Sequence, residues 1–456
     1  MKNFFKKSIF IFRRDLRIHD NTGLIKASES SGKVIPCFIF DPRQVENNPY
    51  RSDNAFQFMI ESITNLKDEI EKLNGRLYLF YGKQEEIIDR LIRSHKIEAV
   101  FINRDYTPFS INRDSNINNL CVNNGISFFS EPDYLLTEPE EIMTKEDKPY
   151  TIFTHFFKKT SEINIREPQK TFPTNFETDN IEFEIPALLT QLKCTRNENI
   201  HVHGSRDICL HILNNISNYK DYDKFRDYPA NESTTNLSAF IKFGVCSIRE
   251  VYWTINDELE PSHPLIRQLF WRDFFTHIAF HFPHVFVESF HKKFDTITWN
   301  NNEALFSKWR EGKTGFPIVD AGIRQLNSTG FMHNRIRMIT ASFLTKDLHI
   351  DWRWGEKYFA KKLVDYDPCV NNGNWQWSSS TGCDAQPYFR IFNPWLQQKK
   401  FDPECIYIKK WIPELKNIPA KNIHNIFDMD IKGYPKPIID HKTETNLTRN
   451  IFLNIS

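Results

Sequence analysis

The first 130 residues alternate between short apolar runs and amphipathic stretches. Ser8–Phe12 and Val34–Phe40 are runs bounded by turn residues, the pattern of strands covered on both faces. Ser52 is a good N-cap for a helix running to about Leu73, and Gly75 is a good stop. Arg76–Tyr81 predicts a strand, Gln84–Arg93 a helix and Glu98–Ile102 a strand. A further helix, from about Ile111 to Val122, ends near Gly125 before a strand at Ile126–Phe129. Repeated β-α units of this kind predict a parallel sheet with helices on both faces, and ligands at the carboxyl ends of its strands. No G-x-G-x-x-G follows the first strand, so the usual dinucleotide fingerprint is missing.

The pattern then changes. Pro132, Pro139, Pro149, Pro168, Pro173 and Pro186 punctuate a charged stretch with little periodicity, which reads as a long irregular connector. From about His201 the spacing is helical. Pro317–Leu326 is amphipathic, breaks at Asn327-Ser328-Thr329-Gly330, and His333–Leu348 resumes with Asn334, Met338 and Ala341 on one face. No comparable strand signal follows residue 240. The expected architecture is a Rossmann-like α/β domain over 1–130, a connector over 131–200 and a mostly α domain over 201–456.

A chain of 456 residues with 40% hydrophobic and 26% charged content fits a soluble protein of two or three domains. Its apolar runs are too short to span a membrane. The basic start Met1–Lys7 leads into no signal-peptide h-region, so an intracellular protein is expected, in a compartment the sequence does not resolve. Eight cysteines with no C-x-x-C pair point to reduced thiols and away from a cysteine-ligated metal. The net charge of +1 does not mark a nucleic-acid binder. Between Phe331 and Lys400, however, ten Lys and Arg face six Asp and Glu. All ten tryptophans lie between Trp253 and Trp411, which points to flat ligands or electron movement in the second half only.

Several runs there carry candidate chemistry. Ser233–Ser238 groups hydroxyls before a helix-like run, as either a phosphate cradle or a capping turn. Asp365 and Asp367 can hold a hydroxyl, a ring N–H or an arginine, with Arg337 the natural counter-charge. Asn371-Asn372-Gly373 would let a planar ligand approach closely. Gln268 and Trp271, at i and i+3, could bond the edge of a nucleobase and stack on its face. His277 and His281 lack the glutamate of H-E-x-x-H and a third ligand, so no metal is expected. Neither G-x-S-x-G nor a P-loop is present.

Together these runs resemble the photolyase/cryptochrome family, and within it the class I cyclobutane pyrimidine dimer photolyases. The resemblance opens at Phe12–Asn21 and is densest from Trp309 to Leu415. Its most specific stretches are Glu311–Ala321, Met332–Met338 and Tyr388–Pro394. It implies an N-terminal antenna domain and a helical domain holding a folded FAD, reduced and anionic when active. It assigns FAD contacts to Tyr222, Thr234, Thr235, Asn236, Leu237, Ser238, Leu265, Arg337, Asp365, Tyr366 and Asp367, and places Asn371 against flavin N5. Trp271, Trp377, Met338 and Gln268 would line a pocket for a lesion flipped out of UV-damaged DNA. Arg226, Gln268, Asn334, Arg335 and Gln397 would contact that DNA. Trp375, Trp352 and Trp299 would relay electrons from the surface to the flavin. A monomer is expected.

Two departures stand out. Gln268 replaces the glutamate usual in class I enzymes, as in six-four photolyases and animal cryptochromes. Those proteins have histidine in place of Asn334, however, and lack the Trp375-x-Trp377 pair. Phe109-Ser110 stands where folate-binding members carry Asn-Glu, which argues against a folate antenna and leaves a deazaflavin, a second flavin or no antenna open. The alternatives are a cryptochrome-type photoreceptor without repair activity and a non-catalytic nucleic-acid-binding module, which would leave the Asp365/Asp367 pair unexplained.

Overall fold

The computed structural model describes residues 4–46 and 48–455. Five parallel strands form one sheet in the order β3-β2-β1-β4-β5. They are β1 (Phe5–Phe12), β2 (Ser31–Phe40), β3 (Tyr78–Tyr81), β4 (Ala99–Asn103) and β5 (Ser127–Glu131). Alternate side chains of β1 enter two different cores. Phe10 and Phe12 join one and Ile9 and Ile11 the other, so the run is apolar without alternation because both faces are buried.

The strand β1 begins three residues before the expected run, with Phe5 packing on Phe101 and Phe129. A helix at Thr22–Ser30, capped by the Asn21 side chain, joins β1 to β2 and is not marked in the sequence pattern. Apart from a single turn at Pro42–Val45, the remaining helices of this domain run Asp53–Lys72, Gln84–His95 and Pro108–Asn123. The crevice between β1 and β4, where the strand order reverses, is closed. Arg13 pairs with Asp114, and Asn103 donates to Asp15. About 10 Å³ of free space is left there. A ligand expected at that switch point has no room, because the groups facing it bond one another.

The connector is largely irregular, with an eight-residue helix at Phe153–Thr160. Beyond it the fold is helical. Ile248–Glu258, Pro264–His281, Pro317–Thr329, Asn334–Lys346, Trp352–Lys362, Pro368–Ser379 and His441–Leu453 are its long elements. The Pro317–Thr329 helix runs through the expected break as far as Thr329, and His333 caps Asn334–Lys346.

The two domains share packing and charge. Phe58 of the Asp53–Lys72 helix meets Phe240 and Phe243, each at 5.2 Å between ring centroids. Asp133 takes Arg17 and Arg249, both at 2.7 Å, and Arg249 also reaches Asp20 at 2.7 Å. Burial opposes ionisation of Asp133, but Arg17 and Arg249 outweigh it and hold its carboxyl below the usual range. Among the described residues no helix is long and apolar enough to cross a membrane.

Candidate active site

A cavity of about 500 Å³ opens in the helical domain, a size typical of cofactor sites. The Pro368–Ser379 helix forms one wall. Pro368 fits its first turn, and the Asp367 carboxylate accepts the N–H groups of Cys369 and Val370. Asn371, Trp375 and Trp377 of this helix line the cavity. Gly373 serves a different contact from the expected one. A Cβ there would overlap the Phe275 ring, so the glycine lets two helices cross closely and is not a ligand platform. Asn372 is likewise structural, donating to the Val285 carbonyl.

Asn371 donates through Nδ2 to Glu356 at 2.8 Å, leaving its carbonyl oxygen for the cavity. Burial pushes the Glu356 carboxyl up to about 7, against the pull of the Asn371 hydrogen bond. The ion pair anticipated between Arg337 and Asp365 is present at 2.9 Å, and Ser238 Oγ donates to the same carboxylate at 2.7 Å. Asp367 is committed across the domain boundary to Arg14 and to the Tyr134 hydroxyl. Burial raises its pKa, but Arg14 and Arg272 prevail and bring it down to about 2.

The hydroxyl turn before Ser238–Phe243 lines the same cavity. Thr234, Thr235, Asn236, Leu237 and Ser238 face the cavity, with Asn236 at a φ of 57°. Tyr222, Arg226, Leu265 and Tyr366 complete that part of the lining. Gln268, Trp271, Met338 and Asn334 line the same cavity, so the expected lesion pocket and cofactor site are one space. Gln268 donates Nε2 to Pro264 O at 3.3 Å, one turn back along its own helix.

Four expected residues lie elsewhere. Trp352 is buried in the same apolar core as Trp375, and Trp299 packs half-buried against that core. Arg335 pairs with Asp227 at 2.7 Å and stacks on Phe401, and Gln397 sits on the Pro394–Phe401 helix. His277 and His281 bond the connector carbonyls of Thr137 and Pro139.

Sequence reading missed three participants. Phe153 of the connector stacks on Trp271, 3.6 Å between centroids and 7° from parallel, so one indole face is covered and the ring held. Its N–H is bonded to Asp384. Glu356 backs Asn371, and Lys242 lies on the cavity wall, where burial drives its pKa well below the usual lysine value. None of the three follows a motif. The only signal was the cluster of Tyr150, Ile152, Phe153, Phe156 and Phe157 within a charged connector.

Residues 8–174 match the family model for DNA photolyase, and residues 265–453 match that for the FAD-binding domain of DNA photolyase. The chain belongs to the DNA photolyase family. It is an enzyme of the deoxyribodipyrimidine photo-lyase class, and its cofactor is FAD. The deoxyribodipyrimidine photo-lyase of Alkalihalophilus pseudofirmus is 35% identical, over 97% of this chain and 96% of that one. An archaeal photolyase from Sulfolobus tokodaii, solved with two FAD molecules, superposes with a TM-score of 0.91. It is 44% identical over 98% of this chain and all of its own length. A bacterial class III photolyase from Agrobacterium tumefaciens also gives 0.91, at 32% identity over 99% of this photolyase and 98% of its own chain.

The cavity suits FAD. Its lining combines hydroxyls, amides and the Arg337–Asp365 pair with the indoles of Trp375 and Trp377. A dinucleotide with an aromatic ring system needs both kinds of surface.

Proposed function

We propose that this photolyase splits cyclobutane pyrimidine dimers in UV-damaged DNA. The observation that carries the reading is the shared cavity: Gln268, Trp271, Met338 and Trp377 line it together with Asn371 and Asp365. When bound and reduced, the flavin supplies the electron that light sends to the dimer. The residues do the rest by position. Trp271, fixed by Phe153, and Trp377 give a flipped-out base pair of rings flat surfaces to lie on. Gln268 offers its carbonyl oxygen, and Asn334 and Arg226 add polar groups to the same lining. Asn371, oriented by Glu356, presents an acceptor without a charge, which leaves room for a negative flavin. Arg337, neutralised by Asp365, lines the same cavity.

Trp375, Trp352 and Trp299 carry electrons in from the surface to keep the cofactor reduced. The Sulfolobus tokodaii relative with two FAD molecules supports a second flavin as a light-gathering chromophore of the N-terminal domain, seated outside the closed β1/β4 crevice. Chromophore extraction should then yield two flavins per chain, and one flavin would remove that assignment.

The decisive experiment illuminates the reduced, flavin-loaded enzyme with oligothymidine containing cyclobutane dimers. Recovery of thymine absorbance only in the light supports repair. A loaded and reduced enzyme that restores nothing would sink it and favour a photoreceptor.

A further inference from the structure

Trp375 has a second aromatic neighbour leading outward, apart from the expected route through Trp352 and Trp299. Trp309 is fully buried, with its ring centroid 6.3 Å from that of Trp375 at 70° between planes. Phe359 packs against both, 4.9 Å from Trp375 and 6.1 Å from Trp309. On its far side Trp309 meets Tyr358 at 5.6 Å. Tyr358 is half-buried, and its hydroxyl has two acceptors in reach of its one proton, Asn327 Oδ1 at 2.5 Å and Arg310 O at 2.9 Å. Three oxidisable rings therefore run from the cavity wall to the surface in consecutive contacts.

Local electrostatics favour positive charge on this branch. The Arg353 guanidinium lies 4.8 Å from the centre of the Trp352 ring. Asp351 and Asp295 share that charge, at 3.2 and 2.8 Å, but none of them touches the indole N–H, which is buried without an acceptor. A cation over an indole makes an electron harder to remove. The Trp309 N–H donates to Thr340 O at 3.1 Å, so the negative end of a carbonyl dipole faces the ring. Among the described residues no lysine or arginine stands over it. A backbone carbonyl is too weak a base to take the indole proton, so charge on Trp309 stays free to move on.

We propose that Trp309 is a second electron donor to Trp375 and that Tyr358 is the outlet of this branch to solvent. The inference rests on the reading of Trp375 as the donor to the flavin. One electron passes from Trp375 to the light-excited oxidised flavin, one from Trp309 to Trp375, and one from Tyr358 to Trp309. The Tyr358 phenol proton leaves to water on the Asn327 side. An external thiol then returns a hydrogen atom to Tyr358, and two thiyl radicals close a disulfide.

The test is transient absorption on the flavin-loaded, oxidised full chain with a thiol, following tryptophan and tyrosine radicals alongside flavin reduction. Flavin absorbance before illumination reports that each variant is folded and loaded. Trp352→Phe should keep much of the photoreduction and show a tyrosyl radical. Adding Trp309→Phe should bring it down to the level of Trp375→Phe. Adding Tyr358→Phe to Trp352→Phe should remove the tyrosyl band and leave a tryptophan cation that recombines. The branch is overturned if Trp352→Phe alone already matches Trp375→Phe, or if neither added substitution changes the Trp352→Phe traces. If Trp375→Phe itself photoreduces like the unaltered chain, the donor reading fails, and the branch fails with it.

Discussion

Each domain gathers arginines and carboxylates at one place, and the two places end up opposite. At the β1/β4 crevice Arg13, Asp15, Asn103 and Asp114 bond among themselves, with Arg17, Asp20, Asp133 and Arg249 beside them, and about 10 Å³ remains. In the helical domain Arg337, Asp365 and Asn371 are held by a few protein partners, Ser238 and Glu356 among them, while still facing about 500 Å³ of space. Mutual satisfaction of buried charge closes a crevice and cements a domain boundary. Partial satisfaction holds side chains in place and leaves hydrogen-bonding capacity for a cofactor. The same side-chain chemistry therefore marks a scaffold in one domain and a site in the other.

The sharpest way to break that comparison is Asp133→Ala. It leaves Arg17 and Arg249 buried without their shared carboxylate, and loss of one partner of a buried pair costs about 3–5 kcal/mol. Urea unfolding of the loaded enzyme should show that loss. A change under about 1 kcal/mol would mean the boundary is held by apolar packing such as Phe58 against Phe243.

Gly373→Ala comes next. A methyl group there drives into Phe275 and should cost about 1–3 kcal/mol by overpacking. Because the shifted helix also carries Asn371 and Trp375, FAD affinity should fall along with stability. An alanine variant that binds FAD normally would show that the helix crossing tolerates separation.

Glu356 tests the cavity wall through pH. Its raised pKa means that the stabilisation from its neutral form is present in full below the unfolded carboxylate value of about 4.3. It is lost as pH rises through about 7. Glu356→Gln keeps the hydrogen bond to Asn371 in a neutral form, so its thermal midpoint should fall less than that of the unaltered chain over this window. Parallel midpoint curves for the two proteins would remove the assignment.

These contrasts were unevenly visible in the sequence. The α/β alternation was readable because strands buried on both faces write themselves as apolar runs. The Thr22–Ser30 helix was not, since nine residues span only about two and a half turns, too few for a period to stand out. The Arg337–Asp365 pair could be guessed from charge alone. The bond from Arg14 to Asp367 could not, because it joins residues 353 positions apart. Phe153 was hidden for the same reason: its role comes from stacking on a ring in another element. Side chains defined by tertiary contact leave no spacing to read.

The mildest change expected is at Gln268. Its amide nitrogen is tied to Pro264 O, so the group left for a base is the carbonyl oxygen. A glutamate would present an acceptor at the same place, adding charge and giving up the bond to the helix. Gln268→Glu should therefore leave FAD binding intact and shift repair yield by only a few-fold, the scale of about 1 kcal/mol for one partly solvated charge. Yield per absorbed photon on dimer-containing oligothymidine, measured with the flavin fully reduced, isolates this effect from photoreduction. A loss of orders of magnitude would mean that the amide nitrogen turns toward the lesion during repair, and that Gln268 acts as a donor.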